Sequence, residues 1–131
     1  MKLVDSSVWI EFLRRKGDPE AKRKVAQFLE GDLAAYTCPI RFELLSGARP
    51  EEEADLENAL KFSRHVPFER EDWRRAALLE RELRAKGVTI PRNDLFVATV
   101  AMRAGLSVVC RDAHFDAVRG VVGNRLVVEQ F

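Results

Sequence analysis

The chain has 131 residues, 47% hydrophobic and 33% charged, the scale and balance expected of one globular domain over residues 1–131. Its 22 Lys and Arg against 21 Asp and Glu leave a formal charge of +1, which excludes a basic nucleic-acid tail or an acidic solvating segment. Cys38 and Cys110 lie far apart with no CxxC pairing, which argues against a disulfide scaffold and a thiolate zinc site and makes a reducing cytoplasm the expected location. The longest apolar runs fall far short of the roughly 20 residues a membrane span needs. An aspartate at position 5 also breaks the apolar stretch of a secretory signal.

Lys2-Leu3-Val4 is too short for an amphipathic helix and reads as a buried strand running into Asp5-Ser6-Ser7, residues that cap a following helix. Trp9, Phe12 and Leu13 give that helix its apolar stripe, Arg14-Arg15-Lys16 its basic end and Gly17 its stop. Asp18-Pro19 caps and opens a second helix, with Ala21, Val25, Phe28 and Leu29 facing inward before Gly31. Leu33 to Cys38 is extended, and Pro39 begins a helix carrying Phe42, Leu44 and Leu45 that ends near Gly47. Pro50 with Glu51-Glu52-Glu53 fits the first turn of another helix, its carboxylates complementing the macrodipole. His65 to Phe68 is a candidate strand, and Trp73, Ala76, Ala77, Leu79 and Leu83 mark a long helix closed by Gly87, with Trp73 expected in the core.

Pro91 opens a helix that is apolar nearly all round from Leu95 to Met102, the expected central buried helix, and Gly105 ends it. Leu106 to Cys110 reads as a buried strand, Asp112 to Val118 as a short helical turn and Leu126 to Val128 as a last strand. Strands alternating with helical crossovers predict an α/β fold: a mostly parallel sheet of four or five strands with helices on both faces.

In such a sheet, strand C-termini and helix N-termini share the edge where ligands bind. Asp5 closes the first strand, Glu43 lies just past the first turn after Pro39, Asp94 is in the first turn after Pro91, and Asp112 follows the strand ending at Cys110. Asp116, one turn beyond Asp112, is a possible fifth. Taken singly, each reads as a helix cap or a dipole partner. Together, beside apolar segments, their mutual repulsion calls for a cation, and hard oxygen donors suit Mg²⁺ or Mn²⁺ in phosphoryl-transfer chemistry.

Four segments carry a resemblance: Val4-Asp5-Ser6-Ser7-Val8-Trp9-Ile10, Arg41-Phe42-Glu43-Leu44-Leu45-Ser46-Gly47, Pro91-Arg92-Asn93-Asp94-Leu95-Phe96-Val97-Ala98-Thr99 and Arg111-Asp112-Ala113-His114-Phe115. In this order and spacing the chain resembles PIN-domain ribonucleases, specifically the VapC-type toxins of toxin–antitoxin modules. The resemblance implies a three-layer αβα fold in which Asp5, Glu43, Asp94 and Asp112 hold one or two Mg²⁺ or Mn²⁺ ions, with Asp116 at a less constant acidic position. It further implies that the metal activates water to cut RNA, leaving 5′-phosphate and 3′-hydroxyl ends, that a cognate antitoxin blocks the site, and that the protein forms homodimers. Cys110 departs from the pattern, standing where many relatives carry Thr or Ser.

Setting five edge carboxylates aside as ligands leaves 16 acidic residues against 22 basic ones, a balance of +6 that suits RNA. Arg14, Arg15, Lys16, Arg41, Arg92 and Arg111 are candidate phosphate contacts, although each also reads as an ordinary surface residue. Ser6 is expected either to orient Asp5 or a metal-held water, or simply to cap the first helix. His114 reads as a surface or capping residue. A receiver domain needs adjacent acids after its first strand, and a haloacid-dehalogenase-like phosphatase needs an aspartate where Ser7 stands, so neither fits. The rival reading is a non-catalytic PIN-like module that binds RNA or protein; retention of all four principal acids argues against it.

Overall fold

The computed structural model describes residues 1–131 and contains five strands and seven helices in the order β1 (Lys2–Val4), α1 (Ser6–Leu13), α2 (Pro19–Glu30), β2 (Ala34–Tyr36), α3 (Cys38–Gly47), α4 (Glu53–Lys61), β3 (Arg64–His65), α5 (Asp72–Ala85), α6 (Arg92–Ala104), β4 (Ser107–Cys110), α7 (His114–Val122) and β5 (Val128–Gln130). The sheet order is β3-β2-β1-β4-β5, and every pairing is parallel. Right-handed crossovers set α1–α4 on one face and α5–α7 on the other, the three layers expected from sequence. The chain moves outward from β1 to β3 and then restarts on the other side of β1 with β4. The crevice between the C-terminal ends of β1 and β4 is therefore the switch point of the sheet.

A cluster of 26 buried apolar residues forms the core, and α6 contributes Leu95, Val97, Ala98, Val100 and Ala101 to it, as its all-round apolar sequence predicts. Gly105 ends α6 in the left-handed region at φ 68°, where a side chain would be strained. Asp18 caps α2 by accepting from the Glu20 N–H, as predicted.

Several elements differ from expectation. Pro50–Glu52 is a 3₁₀ turn that precedes α4. The third strand is only Arg64–His65; the Val66 N–H still donates to Tyr36 O at 2.8 Å, and no further residue pairs with β2. The predicted turn after Asp112 is the full helix α7, and β5 starts at Val128. Trp73 is 61% exposed and packs edge-on against Phe68 and Phe96, because its place in the first turn of α5 leaves it beyond the core. Phe42, expected on the apolar stripe of α3, is likewise exposed.

Asp72 ties the two long helices of the second face together. Its side chain is fully buried and accepts from the Glu69 N–H at 2.8 Å, Arg75 at 3.0 Å and Arg103 at 2.8 Å, while Arg103 also donates to the Pro67 carbonyl. Burial opposes the charge, but the hydrogen bonds from Arg103, Glu69 and Arg75 outweigh it and hold the carboxyl below its ordinary range. Asp72→Ala leaves the guanidinium of Arg103 without its carboxylate, and the expected loss is about 2–3 kcal/mol in urea denaturation. A loss under about 0.5 kcal/mol would show that the contact contributes nothing.

Candidate metal centre

β1 delivers its last residue to the switch point. The Asp5 N–H still donates to Val109 O of β4 at 2.9 Å, so the parallel ladder fixes the backbone there, while the side chain caps α1. Asp5 Oδ2 accepts from the Ser7 N–H at 3.2 Å and from Ser7 Oγ at 2.7 Å. Ser7 Oγ in turn accepts from the Arg111 N–H at 3.1 Å, so one hydroxyl links the ends of β1 and β4. Asp5 Oδ1 is buried without a partner. Burial pushes the Asp5 carboxyl up to about 7; the Ser7 hydrogen bonds oppose the shift, and the charges of Asp94 and Asp112 add to it.

Glu43 reaches the same place from α3. Its Oε2 accepts from Ser6 Oγ at 3.0 Å, and its Oε1 is buried without a partner. Ser6 therefore positions Glu43 rather than Asp5, and the capping role belongs to Asp5 itself, because the first turn of α1 points the Ser6 hydroxyl across to α3. Asp94, in the first turn of α6, lies 2.7 Å from His114 Nδ1 through Oδ2. Burial and the charge of Asp112 raise its carboxyl above the ordinary range; the hydrogen bond from His114 lowers it, and Glu43 adds a smaller upward push. Asp112 follows β4, and its Oδ1 accepts from the His114 N–H at 2.9 Å.

Asp5, Glu43, Asp94 and Asp112 thus line one open cavity of about 650 Å³, together with His114, Ser6, Ser7 and Arg92. Four acids far apart in sequence share the edge that the sequence pattern assigns to them. Two buried carboxylate oxygens without partners, and two carboxyls raised above their ordinary range by burial and like charge, form a donor set that a divalent cation would complete.

Asp116 is placed differently. Its Oδ2 accepts from Gln130 Nε2 at 2.9 Å, its Oδ1 is 3.1 Å from Arg119, and it does not line the cavity. Cys110 is buried behind the cluster; burial, with Asp112 and Asp5 adding, pushes its thiol up to about 12, and Sγ donates to the Asp112 carbonyl at 3.8 Å. Of the basic candidates, only Arg92 lines the cavity, with its guanidinium 3.3 Å from Glu80. Arg14 pairs with Glu11, Arg41 with Glu57 and Arg111 with Asp18, while Arg15 and Lys16 are exposed beyond α1.

Two residues of the site escaped the sequence reading, Ser7 and His114. The turn in which Asp112 accepts from the N–H two residues on is the signal that carries His114 back over the same edge.

The layout is a cluster of four carboxylates at the switch point of an α/β sheet, and comparison with known proteins places the chain further. The PIN domain profile matches residues 2–121, and the chain belongs to the PIN-domain family. It is 34% identical over 123 residues to the VapC ribonuclease Mb1587 of Mycobacterium bovis, an alignment covering 90% of this chain and 91% of that protein. Its fold is also that of VapBC2 from Rickettsia felis, solved bound to a DNA fragment from the promoter, with a TM-score of 0.81, 17% identity, and 98% of this chain and 97% of that one covered. A toxin–antitoxin complex from Klebsiella pneumoniae gives a TM-score of 0.76 at 16% identity, with both chains fully covered. No helix is long and apolar enough to cross a membrane.

Proposed function

We propose that this chain is a divalent-metal-dependent endoribonuclease, the cytoplasmic toxin of a toxin–antitoxin pair, and that Asp5, Glu43, Asp94 and Asp112 are its metal-holding and catalytic residues. The observation that carries the reading is the convergence of these four carboxylates on one cavity, two of them with buried oxygens that no protein group satisfies. When bound, Mg²⁺ or Mn²⁺ would make an attacking water more acidic and would neutralise charge building at phosphorus. The chain's own residues prepare for it. Ser7 fixes Asp5, Ser6 fixes Glu43, and the His114 backbone N–H fixes Asp112, so these carboxylates are held before substrate arrives. Arg92, exposed at the cavity rim, offers a guanidinium to an RNA phosphate.

Cleavage of end-labelled total RNA and tRNA, beside single-stranded DNA of matching length, tests this reading with Mg²⁺, with Mn²⁺ and with EDTA. The expected result is metal-dependent cutting of RNA that leaves 5′-phosphate ends. RNA bound but never cut would instead make the chain a non-catalytic module. Ser6→Ala is expected to weaken metal binding about tenfold by calorimetry, since Glu43 then loses the hydroxyl that orients it. An unchanged affinity would remove Ser6 from the account.

Support for the antitoxin comes from a groove of about 340 Å³ that opens beside the cavity and shares Ile10 and Glu43 with it. Leu13, Leu44, Ala48 and Leu56 give it an apolar floor, and Glu52 and Asp55 an acidic rim. An apolar segment carrying a basic side chain that reaches the carboxylates fits this surface. Homodimerisation, which the resemblance implies, belongs to the same proposal; the exposed Phe42 and Trp73 are apolar surface available to a second copy.

A further inference from the structure

We propose that His114 is a nitrogen ligand of the metal centre, and that the centre therefore takes Mn²⁺ in preference to Mg²⁺. The inference rests on the metal-centre reading above and goes beyond it, since the four acids alone form an all-oxygen set. His114 Nδ1 and one carboxylate oxygen each of Asp94 and Asp112 lie within 4.8 Å of one another. Nδ1 is 2.7 Å from Asp94 Oδ2 and 3.6 Å from Asp112 Oδ1. Neighbouring donors about one ion with bonds of ~2.1 Å stand ~3 Å apart, so these separations bracket a shared coordination sphere.

The ring is held there by its own backbone. The His114 N–H donates to Asp112 Oδ1, His114 is the first residue of α7, and Phe115, fully buried behind it, anchors the start of that helix. Without metal, Nδ1 shares a hydrogen bond with Asp94 Oδ2; a cation seated here would take the place of the Nδ1 proton, and the ring would then carry its N–H at Nε2. Oxygen-only sets suit Mg²⁺, which dehydrates reluctantly and accepts nitrogen poorly. An imidazole nitrogen moves preference toward transition-metal ions, of which Mn²⁺ remains at home among carboxylates.

The alternative role for the same contact is a hydrogen bond that orients Asp94 without touching the metal, and pulsed electron paramagnetic resonance separates the two. The full chain is loaded with Mn²⁺ and examined for ¹⁴N modulation, with His114→Ala and His114→Gln in parallel and circular dichroism confirming their folds. Calorimetry measures Mn²⁺ and Mg²⁺ affinity for each. The expected result is imidazole ¹⁴N modulation in the wild type that disappears in both variants. Mn²⁺ affinity is expected to fall about tenfold, with Mg²⁺ affinity changing less than threefold. Mn²⁺ bound with no ¹⁴N modulation, or equal losses for the two metals, overturns the proposal while leaving the acidic centre intact. Failure of the wild type to bind either ion overturns both.

Discussion

Asp94→Asn is expected to lower metal-dependent RNA cleavage by about 10²–10³-fold or more, because it removes the charge of a proposed ligand at the point where α3, α6 and the ends of β1 and β4 meet. The same substitution leaves the fold intact. Burial and the neighbouring Asp112 make the Asp94 carboxylate a cost to the metal-free protein, so a neutral amide of the same shape holds its stability level or raises it by roughly 1 kcal/mol. Activity and stability therefore move in opposite directions, a combination that simple misfolding does not produce. Asp116→Asn serves as the comparison. Asp116 is engaged with Gln130 and Arg119 outside the cavity, and its loss should change the cleavage rate less than about threefold. Equal damage from the two substitutions, read by single-turnover kinetics, would return Asp116 to the metal-binding set.

The second large effect is a dependence of metal-free stability on pH. Asp5 has its carboxyl raised from 3.8 to about 7 in the folded protein, so between these values the folded state binds a proton that the unfolded state has lost. Stability from this group is complete below about pH 4 and falls as pH rises toward 7. The loss is on the order of 4 kcal/mol at most, or roughly 15 °C in Tm for a chain of this length. Asp94 shifts in the same direction. Asp72, held below its ordinary value by Arg103 and Arg75 against its burial, contributes stability that is lost only as pH falls below about 4, outside this window. Thermal melts in EDTA should show Tm declining from pH 5 to pH 7.5, and saturating Mn²⁺ or Mg²⁺ should flatten the decline by supplying the positive charge that the proton otherwise brings. Asp5→Asn should flatten it without metal. A metal-free Tm constant across this range would mean that burial, with the smaller push of Asp94 and Asp112, does not raise the Asp5 carboxyl in the folded protein.

The parts of the fold that sequence made legible are those with local punctuation. Asp18-Pro19 and Gly31 bound α2, and Pro91 and Gly105 bound α6, because caps and breakers act within a few residues. The edge strands were poorly legible: Arg64–His65 and Val128–Gln130 are short and partly polar, and their pairing depends on strands distant in sequence. Trp73 was misplaced because helical periodicity gives the face of α5 without saying where the core ends. The convergence of Asp5, Glu43, Asp94 and Asp112 was legible because βα topology alone puts strand ends and helix starts on one edge. The hydrogen bonds that hold these residues were not. Ser6 meets Glu43 across 37 positions and Ser7 meets Arg111 across 104, contacts that no local pattern encodes. His114 was hidden for a different reason: a single histidine beside an aspartate has no ligand spacing until the turn at Asp112 brings its ring to Asp94.

The central claim is that the four-carboxylate cavity cuts RNA by holding a divalent cation. It is tested most directly by titrating Mn²⁺ into metal-free wild-type protein while recording metal binding and cleavage of end-labelled RNA in the same sample. Cleavage that rises in step with occupancy of the cavity, starting from none in EDTA, is the predicted result. Cleavage that persists in EDTA, or occupancy that reaches saturation without a single cut, would contradict it.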